Sequence, residues 1–143
     1  MNKFDLTTSK IVNTRANPVW KKIIDADAIK KWWNGARVAT DWKVGSKVEF
    51  MFVEQPTPRF DHGKIIELVE NERLVLNLWS VDYGNPDEDE PYKVVIYDLK
   101  YLGNEQTRLT LSVASYDSEE EMEKRRPLVD TIVNKIKFLA EHE

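Results

Sequence analysis

Apolar residues alternate with polar ones through a series of segments between Val48 and Val113, and past Ser118 they recur at helical spacing. That order constrains the fold more than anything else in the chain. A half-buried sheet and an amphipathic helix must each cover an apolar face, and one covering the other satisfies both. Val48, Phe50 and Phe52 alternate with Lys47, Glu49 and Met51. Gly63–Val69 and Leu74–Trp79, separated by Glu70-Asn71-Glu72, read as two strands and a polar turn. Val95, Tyr97 and Leu99 face Leu109, Leu111 and Val113 across the turn Gly103-Asn104-Glu105, which predicts a hairpin. Gln55-Pro56-Thr57-Pro58 and the acidic stretch Gly84 to Pro91 read as loops. Ser118 and Glu121 form a capping box, followed by a stripe of Leu128, Ile132, Ile136, Leu139 and Ala140 that Val129 and Val133 widen. Leu128, Ile132 and Ile136 are expected to turn inward. Pro127 should kink or restart this helix, because it donates no backbone bond.

The N-terminal third carries a different signal. Phe4 to Asn13 reads as a first strand, rich in β-formers. Asn17 is a good helix cap and Pro18 suits a first helical position, which predicts a short helix to about Ile24. Asp25 or Asp27 can cap a second helix ending near Trp33. Trp20, Trp32 and Trp33 concentrate large indoles in this short stretch. They are expected to hold both helices against one end of the sheet. Gly35 then releases the chain into the strands.

At 143 residues the chain is read as a single domain, residues 1–143, long enough to bury a sizeable core. Its net charge of −4 gives no electrostatic footprint for nucleic acid. Cysteine is absent, which excludes disulfides, thiol catalysis and cysteine zinc sites. No segment approaches a membrane span, and Met1 to Asp5 has no apolar signal-peptide core, so a cytoplasmic location is expected.

The order strand, two short helices, many strands and long helix resembles the START-like (SRPBCC, helix-grip) superfamily. Within it, the chain resembles the heat-shock-protein ATPase activator homologue family. The residues that carry the likeness are Arg15-Ala16-Asn17-Pro18-Val19-Trp20, Trp32-Trp33 and the run from Asp41 to Phe50. Gly63-Lys64-Ile65-Ile66-Glu67, Arg73-Leu74 with Trp79, and Thr107-Arg108-Leu109-Thr110-Leu111 continue it. Val44-Gly45 stands where a double glycine is usual, and the terminal helix lacks a Gly-Trp near Arg126-Pro127-Leu128. The resemblance implies an α+β helix-grip fold, a curved antiparallel sheet wrapped around the C-terminal helix. It also implies a space between sheet and helix that side chains often leave unfilled.

Chemistry-bearing residues are few. His62 is the one histidine away from the terminus, with Asp61 beside it, and no nucleophile motif accompanies the pair. Metal binding would need His62 with Asp61, Asp82 or Glu67, and the spacing does not favour it; no metal or cofactor is expected. Glu67, set among Ile65, Ile66, Leu68 and Val69, points inward if it shares a face with Ile65 and Val69. Otherwise, for instance past a bulge, it meets solvent or a cross-strand Lys or Arg. Asn77 raises the same question more weakly. The aromatic residues Phe50, Phe52, Trp79, Tyr97 and Tyr101 either line a pocket or pack as plain core. The expected ligand-binding set is Phe50, Phe52, Glu67, Leu76, Trp79, Tyr97 and Leu111, facing Val129 and Val133. The leading expectation is binding of a small hydrophobic or amphipathic molecule without turnover. The alternatives are a protein-interaction domain regulating a chaperone ATPase, and an acid–base enzyme using Glu67, His62 or Tyr97.

Overall fold

A computed structural model describes residues 4–53, 56, 58–79, 93–116 and 118–142; the acidic stretch 84–91, Gln55, Thr57 and Asp82 lie outside them. The elements are β1 (Phe4–Val12), α1 (Ala16–Ile24), α2 (Ala26–Trp32), β2 (Arg37–Ala39), β3 (Lys47–Phe52), β4 (Arg59–Val69), β5 (Arg73–Trp79), β6 (Lys93–Gly103), β7 (Gln106–Tyr116) and α3 (Glu119–Glu141). The strands form one antiparallel sheet in the order β1-β7-β6-β5-β4-β3-β2. Strand β1 therefore pairs with the last strand, and α1 and α2 bridge the span from one edge to the other. Helix α3 packs on β1 and β7, with α1 and α2 beside it. This is the helix-grip α+β architecture.

Helix α1 starts differently from its sequence signal. Arg15, not Asn17, occupies the cap of α1 and makes no side-chain capping bond. Asn17 instead donates from Nδ2 to Asn71 Oδ1 at 3.1 Å, tying α1 to the β4–β5 turn. Pro18 then sits inside the first turn, where a missing N–H deprives the helix of nothing. Asp25 does cap α2, accepting from the Ala28 N–H at 2.9 Å. Asn34 (φ 47°) and Gly35 (φ 78°) carry the chain away beyond it. Trp20 and Trp32 are buried, and the Trp32 Nε1–H donates to the Lys22 carbonyl at 2.7 Å. That bond removes the cost of burying an indole N–H.

Ser118 caps α3 by accepting from the Glu121 N–H at 3.1 Å. The helix does not restart at Pro127 but runs unbroken to Glu141, and Thr131 Oγ1 donates to the Pro127 carbonyl at 2.8 Å. Its buried stripe is Val129, Ile132, Val133, Ile136 and Ala140. Leu128 was expected inward, yet it is 36 % exposed at the rim of this stripe.

Two features of β4 decide which side chains reach the interior. At Gly63 the backbone approaches β5 so closely that an added Cβ would lie 1.7 Å from the Asn77 carbonyl oxygen. The Asn77 side chain turns to this neighbour, accepting from the Lys64 N–H at 2.7 Å. Between Ile65 and Glu67 the register slips, leaving Ile66 as a bulge. One extra residue exchanges the two faces of the strand beyond it.

Candidate functional site

A cavity lies between the inner face of the sheet and the N-terminal half of α3. Its sheet wall follows the two-residue period. Leu76 pairs with Val95 and Val95 with Val113, while Tyr97 pairs with Leu111, so successive strands contribute inward side chains in rows. Val129 and Ile132 close it from the helix, Trp33 from the end of α2, and Leu128 stands at its rim. Its volume is about 60 Å³. A larger hollow of about 360 Å³ lies between α2 and α3, lined by Lys31, Thr131 and Phe138 among others, but it is a shallow surface depression. The enclosed, mostly apolar space is the better site for a small molecule.

One end of the cavity is charged. Asp61 on β4 is only 1 % exposed, and its Oδ1 lies 3.4 Å from Arg59 Nε. The Arg59 guanidinium also covers the Phe52 ring at 4.2 Å. Arg125 enters from α3. Next to these, Lys93 is buried, with Nζ 4.0 Å from Glu121 Oε1 and 5.2 Å from the centre of the Tyr116 ring. Burial raises the Tyr97 phenol far above its ordinary range. It also pushes Tyr116 up to about 12, with nearby Arg125 opposing and Glu121 adding to the rise. Both phenols are therefore neutral, hydrogen-bonding groups at physiological pH.

The residues singled out from sequence divide into three sets. Leu76, Tyr97, Leu111 and Val129 line the cavity. Phe50, Phe52 and Val133 are buried one layer away, as core. The Trp33 indole, with its ring centre 4.6 Å from Phe50 and 5.3 Å from Phe52, takes the place in the wall that those two rings were expected to hold. Glu67 and Trp79 belong to the opposite face. The Ile66 bulge turns Glu67 outward, where Oε1 accepts from Arg73 Nε at 3.1 Å while Arg73 also binds Asp98 at 2.7 Å. Trp79 lies an odd number of residues from Leu76 and Leu78, so alternation places it outside, against the His62 ring at 5.4 Å.

Alternation also separates Asp61 from His62. The carboxylate is buried inside and the imidazole stands on the outer face, so the two form no catalytic pair. Tyr101 falls past the covered part of the sheet and is 49 % exposed, with its hydroxyl accepting from the Glu105 N–H. Among the described residues, no group of three or more acidic or histidine side chains could hold a metal. None of the described helices is long and apolar enough to cross a membrane.

A single helix gripped by one curved antiparallel sheet, with a cavity between them, defines the START-like class. The chain belongs to the family of Activator of Hsp90 ATPase homolog 1-like proteins, whose model matches residues 13–140. Among solved structures, it is similar to ChR145 from Cytophaga hutchinsonii at 24 % identity and a TM-score of 0.81, covering 96 % of this chain and 94 % of that one. The Aha1 dimer from Colwellia psychrerythraea aligns over 97 % of both chains at 15 % identity and a TM-score of 0.78. DynU16, a putative protein of the dynemicin biosynthetic locus, aligns over 96 % of this chain and 47 % of its own at 15 % identity and a TM-score of 0.79. At these identities the likeness is one of fold. None of the curated proteins compared matches the sequence.

Proposed function

We propose that this protein binds a small hydrophobic or amphipathic molecule in the cavity between β4–β7 and the N-terminal half of α3. The observation that carries this reading is the contrast within the cavity wall. Aliphatic and aromatic side chains make up most of it, and the charged groups gather at one end with Tyr116. Apolar pockets with a few placed polar groups suit small ligands, because burial supplies affinity and the polar groups fix orientation. The reading involves no turnover: Asp61 and His62 point to opposite faces, and Glu67 is outside the cavity.

The test is a panel of fatty acids, flavonoids and sterols, read by melting temperature and indole fluorescence. A ligand present at about a hundred times its dissociation constant adds about 2.7 kcal/mol of stability. Val129→Phe fills the cavity and should abolish that gain. Equal gains in the wild-type and Val129→Phe proteins would place binding elsewhere.

A second reading is favoured by family membership and by the modest enclosed volume of about 60 Å³. In it, the domain docks on a chaperone ATPase and modulates it. Stimulation of an Hsp90-type ATPase by the purified protein, unchanged in Val129→Phe, would support docking over ligand binding.

A further inference from the structure

Resting on the ligand-binding reading above, we infer that the Tyr97 hydroxyl donates a hydrogen bond to the ligand, and that the ligand class is a slender apolar molecule bearing a ketone or ester carbonyl. Tyr97 is 5 % exposed and lines the cavity. A strand side chain stands roughly perpendicular to its sheet, so the ring leaves β6 inward and carries its hydroxyl at the tip. Among the described residues that hydroxyl makes no hydrogen bond, and it remains open to the cavity. Burial alone raises the pKa of this phenol; neither a charge nor a hydrogen bond contributes. The neighbouring Trp32, edge-on to the Tyr97 ring at 6.1 Å, shows the usual outcome for a buried donor: its N–H meets the Lys22 carbonyl.

A buried donor left without a partner is costly, and a site built around one favours a ligand that completes it. A water would need two or more polar partners to stay beside Tyr97. The residues paired with it across the sheet, Leu74 and Leu111, bring only aliphatic side chains. A carbonyl oxygen accepts the phenol's proton without adding a donor of its own. An alcohol forms the same single bond but leaves one of the two O–H groups unmatched. A carboxylate in this place would lose far more hydration than one phenol replaces.

Shape narrows the class further. The cavity of about 60 Å³ is well below the roughly 150 Å³ of an engineered cavity that accepts benzene. A polymethylene chain presents one methylene at a time to a narrow space, whereas a sterol or flavonoid ring system does not.

Isothermal titration of the full chain with 2-hexanone and 2-methyl-1-hexene separates the hydrogen bond from the shape, because the alkene carries a methylene group in place of the carbonyl oxygen. Tyr97→Phe removes the hydroxyl and keeps the ring. It should weaken 2-hexanone binding about tenfold, while the alkene loses no affinity. A merely structural role for Tyr97 would weaken both compounds together. Circular dichroism reports whether Tyr97→Phe folds. Independently of any variant, the infrared carbonyl band of 2-hexanone bound to the wild-type protein should lie below its frequency in hexane. Equal changes for both compounds in Tyr97→Phe, or a bound carbonyl band at the hexane frequency, overturns the inference. The cavity reading survives that outcome if both compounds lose binding in Val129→Phe. No binding by either compound overturns both.

Discussion

The two halves of α3 meet the same sheet and do different things with it. The C-terminal half is packed solid. Val133 and Ile136 are fully buried, Ala140 nearly so, and they share one core with Trp20, Ile23 and Val12. Polar ties lock this half to the end of β1: Lys137 Nζ donates to the Ile11 carbonyl at 2.8 Å, and the Asn13 N–H donates to Glu141 Oε2 at 2.7 Å. The N-terminal half lies over a cavity. Leu128 is partly in solvent, and the groups facing Arg125 and Glu121 include Lys93, Tyr116 and Asp61. One half supplies stability. The other leaves apolar wall uncovered and buries charge, both of which cost stability and are expected where a site must be kept open.

The largest effects should come from the packed half. Trp20→Ala removes a 2 % exposed indole, and its expected cost is about 3–5 kcal/mol in denaturant unfolding. Ile136→Ala should cost about 2–5 kcal/mol, for the same cavity-creating reason. If Trp20→Ala lowered stability by less than about 1 kcal/mol, the packed half would not be the stabilising one.

Alkali probes the cavity half specifically. Tyr97 and Tyr116 both titrate higher in the folded chain than in the unfolded one, Tyr116 at about 12, chiefly through burial. Between the unfolded value of about 10 and the folded value, the native state holds the phenolic proton that the unfolded chain has released. Their stabilising contribution is therefore complete below about pH 10 and is lost as pH rises through the folded values. Unfolding free energy measured against pH should fall steeply above about pH 10, and less steeply in Tyr116→Phe or Tyr97→Phe. Identical slopes in all three proteins would contradict the burial of these phenols.

The smallest effects should come from the rim and the outer face. Leu128→Ala, at a 36 % exposed position, should cost well under the Ile136→Ala value, and under about 1 kcal/mol. Glu67→Gln loosens an exposed ion pair with Arg73 and should change stability by no more than about 1 kcal/mol, with ligand affinity unaltered.

Much of this division can be read from period alone. Alternation through Val48–Phe52, Val95–Leu99 and Leu109–Val113 places the inner face correctly, and the helical stripe on α3 is displaced at Leu128 and partly at Leu139, which is only half-buried. Parity counted from Leu76 would also have moved Trp79 to the outer face. Counted back from Ile65, it would have put Asp61 inside. Parity is the better guide at Trp79, where residue type alone, an aromatic, points to the pocket. Glu67 was a different matter. The Ile66 bulge that reverses its face is a property of the β4–β5 pairing, which no local pattern around Ile65-Ile66-Glu67 specifies. Arg59 and Arg125 carry no local signal of a shared site, because only the fold brings β4 and α3 to the same end of the cavity.

The most direct test of a packed half and a binding half is methyl NMR during titration with a member of the ligand panel that raises the melting temperature. Shifts should appear at Leu76, Leu111 and Val129 and fade toward Val12, Ile136 and Ala140. Shifts spread evenly over both sets, or centred on Ile136 and Ala140, would contradict the division of α3 into a stabilising half and a ligand-facing half.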